Sequence, residues 1–161
     1  MEVSPLLKAL YGGREADARA LAETYASGLP LLEAVALGDE FRVLMCLQAG
    51  WGGVGDRSPD GFAPLHYAAY FGRFNVLKIL IENRADVHSV SENPMALQPL
   101  HAACAAENKT EQVATAMAAS LIRAGADPNA KQSGDFTALM AARQNGWPYL
   151  EKLLVAAGAT E

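Results

Sequence analysis

Apolar residues in this chain come in short bursts with helical spacing. In "FNVLKILIEN" (74–83), Val76, Leu77, Leu80 and Ile81 recur at the interval that places them on one helix face. Asn75, Lys78 and Glu82 fall outside that stripe. A second kind of burst is shorter and richer in alanine. "SPLLKALYGG" (4–13), "LPLLEAVALG" (29–38), "APLHYAAYFG" (63–72), "QPLHAACAAE" (98–107) and "TALMAARQNG" (137–146) share one frame. Its second position is proline, or Ala138 in the last copy. Its third is always leucine: Leu6, Leu31, Leu65, Leu100 and Leu139. Its sixth is alanine: Ala9, Ala34, Ala68, Ala103 and Ala142. Glycine closes every copy but the one that ends at Glu107.

The frame predicts a repeated helix pair. Proline suits a first helical turn, where its missing N–H costs nothing. Leucine and alanine then build about two turns, and small residues let neighbours approach closely. The closing glycine supplies the left-handed turn that other residues resist. A second, amphipathic helix follows, stopped by Gly50, Gly125 and Gly158 in three copies. Turn-rich connections such as "ADVHS" (85–89) and "ADPNAKQSGDF" (126–136) lead to the next copy. Pro5, Pro30, Pro64, Pro99 and Ala138 lie 25, 34, 35 and 39 residues apart, and a repeat length in the mid-thirties is the signature of a solenoid.

Pro-Leu-His, the alanine pair, the closing glycine and "GAD.N" resemble ankyrin repeats over nearly the whole chain. The resemblance implies an all-α solenoid of stacked helix pairs with hairpin-like fingers along one edge. It divides the chain into a degenerate N-terminal cap (1–28), three repeats (29–60, 61–93, 94–132) and a C-terminal cap (133–161). It also implies a concave face, made of fingers and first helices, that binds proteins.

Several positions depart from the family pattern. No copy has both the threonine and the histidine of the usual Thr-Pro-Leu-His: His66 follows Ala63, His101 follows Gln98, Thr137 faces Met140 and Ser4 faces Leu7. Each lost bond is expected to cost about 0.5–1.5 kcal/mol. The first copy lacks a finger, and its second helix is expected over about 14–27. Arg84 stands where the family places glycine, so Asn83 is expected to take the left-handed conformation. The fourth copy carries extra residues, read as a second helix lengthened at its start, with Asn108 and Glu111 forming a capping box. In "GWGGVG" (50–55), Trp51 is expected to tuck between repeats.

Composition narrows the chemistry. The net charge is −5 and the acidic residues are spread along the chain, with no basic stripe for nucleic acid. No apolar run suits a signal peptide or a membrane span. The expected setting is cytoplasmic, and the expected state is a monomer. The chain begins with Met and ends just after "GA", which reads as a complete small protein. Cys46 and Cys104 read as buried hydrophobes in a reducing compartment. His66 and His101 sit at the same frame position in adjacent repeats, too far apart to share a metal if helices lie about 8–10 Å apart. His88 falls in a finger. Cys104 follows His101 by three residues, on one helix face. That pair is the alternative enzymatic or metal-dependent site, but it lacks an oxyanion hole and a third member. "GWGGVG" matches no phosphate loop. The expectation is therefore no catalytic residue, no cofactor and no metal.

The binding candidates lie on the face that the resemblance makes concave. The two residues before each closing position are Tyr11 and Gly12, Ala36 and Leu37, Tyr70 and Phe71, Ala105 and Ala106, and Gln144 and Asn145. The fingers add Asp60, Phe62, Met95, Leu97 and Phe136. Exposed rings among polar residues mark interfaces. The expected partner surface is therefore Asp60, Phe62, Tyr70, Phe71, Met95, Leu97, Phe136 and Gln144. The expected function is a non-catalytic protein-binding module, acting as an adaptor or an inhibitor of immunity type. A further alternative is self-association through apolar end faces, with Tyr149 and Val155 flanking the last helix's core stripe.

Overall fold

A computed structural model describes residues 2–25, 28, 30–105, 107 and 109–160. Among these residues the regular structure is helical, in the order α1 (Pro5–Tyr11), α2 (Glu15–Ala22), α3 (Leu31–Leu37), α4 (Glu40–Ala49), α5 (Pro64–Tyr70), α6 (Phe74–Glu82), α7 (Pro99–Cys104), α8 (Glu111–Arg123), α9 (Ala138–Gln144) and α10 (Pro148–Ala156). First helices stack on one another, α1 on α3, α3 on α5, α5 on α7 and α7 on α9. Behind them α4 packs on α6, α6 on α8 and α8 on α10. This is an all-α repeat solenoid.

The recurring frame has a recurring hydrogen bond behind it. After the first helix, the backbone N–H of Arg14, Asp39, Arg73 and Trp147 donates to the carbonyl of Ala9, Ala34, Ala68 and Ala142 in turn, at 2.9 Å each. The sixth-position alanine thus ends the helix with its carbonyl and opens room for the neighbour with its methyl group. After the second helix, Trp51, Ala85, Ala126 and Ala159 donate likewise to Cys46, Leu80, Leu121 and Leu154, at 2.9–3.0 Å. In the fourth repeat no glycine closes the first helix. Ala105 is extended (φ −69°, ψ 137°), and the chain leaves α7 without the tight turn.

Arg84 takes the left-handed conformation itself (φ 65°), while Asn83 stays at φ −87°. The expected shift of the helix stop to Asn83 does not occur. Asn83 instead turns its Nδ2 onto the Ile79 carbonyl at 2.8 Å. An L-residue in this region is strained by roughly 1 kcal/mol. Arg84→Gly is therefore expected to raise unfolding stability by about 0.5–1 kcal/mol, read as a shift in the urea midpoint. An unchanged or lower midpoint would show the turn to be relaxed as it stands.

The fingers close in one way. Ser58, Ser91 and Gln132 donate their backbone N–H to the carbonyls of Phe62, Leu97 and Phe136. Neighbouring fingers are then joined: Glu92 N–H to the Gly61 carbonyl at 2.8 Å, and Ser133 N–H to the Met95 carbonyl at 3.0 Å. Gly61 is required there, because a Cβ would lie 2.5 Å from the Glu92 carbonyl oxygen. Trp51 does not tuck in; it is 64% exposed. Gly52 explains this. Its backbone comes so close to Leu31 that a Cβ would lie 2.9 Å from Leu31's, which leaves no gap at Leu31 for a neighbouring ring.

The fourth repeat's second helix is lengthened at its start: α8 begins ten residues before Leu121, where α6 begins six before Leu80. Its cap is the Thr110 side chain, which accepts from Val113 N–H. Asn108, the expected partner in a capping box, lies outside the described residues. Glu111 reaches elsewhere, accepting the N–H groups of Tyr149 and Leu150 at 2.6 and 3.3 Å. The added turn thus places a carboxylate at the N-terminus of α10, where it complements the helix dipole. In the first repeat α2 ends at Ala22, short of the expected extent; Ser27 lies outside the described residues.

Candidate protein-binding groove

Along the concave side runs a cavity of about 750 Å³. Of the expected contact residues, Asp60, Phe62, Tyr70, Met95, Leu97 and Phe136 line it. They come from three successive fingers and from α5. Phe71 does not line it, being only 4% exposed, and Gln144 is exposed but lies away from the cavity.

Helix rotation accounts for Phe71, but not for Gln144, which holds the same frame position as Tyr70. Consecutive helical residues point about 100° apart. The eighth frame position, held by Tyr11, Tyr70 and Ala105, faces the groove. The ninth turns toward the preceding repeat. Leu37 and Phe71 are buried there, and Asn145 donates its Nδ2 to the Cys104 carbonyl at 2.9 Å. Ala36 is an eighth-position residue that is also buried. Ala106 lies outside the described residues.

Because Ala36 is small, Tyr11 of α1 reaches across α3. Its ring centroid lies 5.5 Å from Phe71, 5.9 Å from Tyr70 and 6.3 Å from Tyr67. Its hydroxyl donates to Asp60 Oδ2 at 2.6 Å. Tyr67, which the sequence leaves unplaced, is fully buried, donating to Asp60 Oδ1 at 2.7 Å. The Ser58 hydroxyl donates to Oδ1 as well. Burial disfavours the Asp60 charge, but these three hydroxyl bonds outweigh it and hold the carboxyl below its ordinary value. Burial and the bond to Asp60 push the Tyr11 hydroxyl well above its usual pKa.

Lys109 backs the groove from the fourth repeat. Its ammonium sits 5.5 Å from the Tyr70 ring centroid and donates to the Tyr70 carbonyl at 2.9 Å. Burial pulls its pKa down to about 8. Sequence reasoning missed this contact, and the only sequence signal for it is a lone lysine within the inserted residues.

The histidines sit beneath the groove as inter-repeat ties. His66 Nδ1 accepts the Ala63 N–H at 3.2 Å, and Nε2 lies 3.0 Å from the Leu97 carbonyl. His101 repeats this with Gln98 N–H and the Ala130 carbonyl. Nε2 is therefore the protonated nitrogen in both. Where histidine is absent, the hydroxyls of Ser4 and Thr137 accept from Leu7 and Met140 N–H. Four of the five copies thus keep one half of the family's usual pairing, while the second has Leu29 and Leu32 in those positions and keeps neither; the histidine half bonds to backbone instead of standing idle.

Cys104 is fully buried, and burial pushes its thiol up to about 12. Both nitrogens of His101 are engaged with backbone, so the two side chains offer no activated nucleophile. Neither Cys46 nor Cys104 takes part in a disulfide among the described residues. Among the described residues no group of three or more His, Cys, Asp or Glu side chains could hold a metal ion, and no helix is long and apolar enough to cross a membrane.

Among curated proteins, none matches the chain. The profile of ankyrin repeats (3 copies) matches residues 31–131, from the start of α3 through α8 and into the finger that follows. That is more than half of the sequence. It carries the same helix-ending bonds that recur from α1 to α10, and the chain belongs to the ankyrin-repeat family.

Proposed function

We propose that this chain is a non-catalytic protein-binding module of five repeats that holds a partner in its concave groove. Ankyrin repeats are in general protein–protein interaction modules. The observation that carries the reading here is the 750 Å³ cavity lined by Phe62, Tyr70, Met95, Leu97 and Phe136. These side chains come from elements joined by hydrogen bonds between fingers, so the surface is preorganised and loses little entropy on binding. Catalysis has no support in the engaged His101 and the high thiol of Cys104. The role that fits is holding or masking another protein's surface, as an adaptor or inhibitor does, in the cytoplasm.

The test is an affinity capture with the whole chain as bait, repeated with Tyr70→Ala. Truncating a central aromatic anchor is expected to weaken partner binding by about 2 kcal/mol. The thermal midpoint should fall by less than on removing a fully buried ring, since the Tyr70 side chain stands at the groove wall while packing on Phe71 and Tyr11. A partner held equally well by the variant would place the interface elsewhere.

A further inference from the structure

Asp60 is an anion without a cation. Among the ion pairs of the described residues, none includes it. Its two oxygens are unequally used. Among the side chains of the described residues, Oδ1 accepts from Ser58 and Tyr67, whereas Oδ2 accepts from Tyr11. A carboxylate offers about four acceptor sites, two on each oxygen, so Oδ2 keeps one open. Tyr11, bonded to that oxygen, is 37% exposed, and both residues line the cavity.

The rest of the lining has the same sign. Glu107 is the other charged side chain on it, and no lysine or arginine is present. His66 and His101 are held neutral by burial. Lys109 stands against Tyr70, with its ammonium committed to the carbonyls of Tyr70 and Glu107. Two carboxylates in a concave, apolar-walled groove focus a negative potential. Tyr11 adds a ring face that attracts a cation, whereas the Tyr70 ring already carries the Lys109 ammonium.

We propose that Asp60 receives an arginine or lysine side chain of the protein segment that fills the groove, next to an apolar side chain seated against Phe62, Tyr70 and Leu97. This inference rests on the groove being the binding surface. It adds a chemical class of partner: a segment with a basic residue beside an apolar anchor.

The experiment selects a displayed library of random peptides, each about twelve residues long, on the whole protein. Enriched peptides are then synthesised and titrated against wild type, Tyr70→Ala and Asp60→Asn. The expected peptides carry arginine or lysine beside Leu, Met or Phe, and they lose affinity on Tyr70→Ala. Replacing the basic residue by glutamine is expected to weaken binding to wild type by about tenfold and to change little against Asp60→Asn. Circular dichroism checks that Asp60→Asn is folded. If it is not, the glutamine swap and the salt dependence on wild type decide. Peptides that need Tyr70 but tolerate glutamine would overturn the basic-partner inference and leave the groove reading intact. Peptides indifferent to Tyr70, or no enrichment at all, would overturn both.

Discussion

Phe71→Ala is expected to lower unfolding stability by about 3–5 kcal/mol, the range for removing a fully buried ring. Phe71 is packed by three other rings, with Tyr67 stacked at 6.0 Å, Tyr70 edge-on at 5.1 Å and Tyr11 tilted at 5.5 Å. Those rings are held in turn by Asp60 and by the first helices, so the site cannot collapse to fill the void. The position is also central. In a solenoid, stability is roughly a sum of repeat and neighbour-interface terms. Loosening the third repeat therefore weakens its contacts on both sides, and the urea transition should broaden as well as shift. Tyr70→Ala, one residue away, is the comparison, expected to lose clearly less because Tyr70 is only partly buried even though its ring packs on Phe71 and Tyr11. Equal losses from the two variants would contradict the assignment of one ring to the core and its neighbour to the groove.

That division was the part of the site least legible in the sequence. The frame identified both rings, because frame position is a local property repeated five times, and the family resemblance put them on the concave side. Which of two adjacent rings faces outward depends on helix rotation and on the repeat before it. The small Ala36 lets Tyr11 lean over α3, and the space Phe71 fills exists only in the stack. Tyr11 carried a usable signal, since it holds the same frame position as Tyr70. Its bond to Asp60 spans 49 residues, and no periodicity reports such a pairing.

The helices, their order and their stops were legible for the opposite reason. Proline, glycine and alanine act within one turn of where they stand. The failures follow the same line. Arg84 adopts a conformation its residue type disfavours because the repeat geometry on both sides demands it. Trp51 stays outside while Gly52 beside it brings the backbone close against Leu31. Glu111 caps a helix in the next repeat, not its own. In each case tertiary packing overrides a sound local preference.

The histidine ties have a consequence in acid. His66 is buried and its pKa is lowered from 6.5 to about 4, with desolvation the largest cause. The unfolded chain therefore binds a proton between about pH 6.5 and pH 4 that the folded chain refuses. Stability rises with pH wherever the unfolded state holds more protons. This contribution is complete above pH 6.5 and is lost as the pH falls through that window. A shift of this size corresponds to about 3 kcal/mol for His66. His101, also lowered by burial, acts in the same direction. Protonating either ring places a proton on Nδ1, the nitrogen that accepts the Ala63 or Gln98 N–H, and so sets two donors against each other. Urea unfolding at a series of pH values from 7.5 to 4 should show the fall. His66→Gln should be weaker at neutral pH yet lose less on acidification, because it has no proton to take up. A variant whose stability falls as steeply as the wild type's would show that the acid sensitivity arises elsewhere.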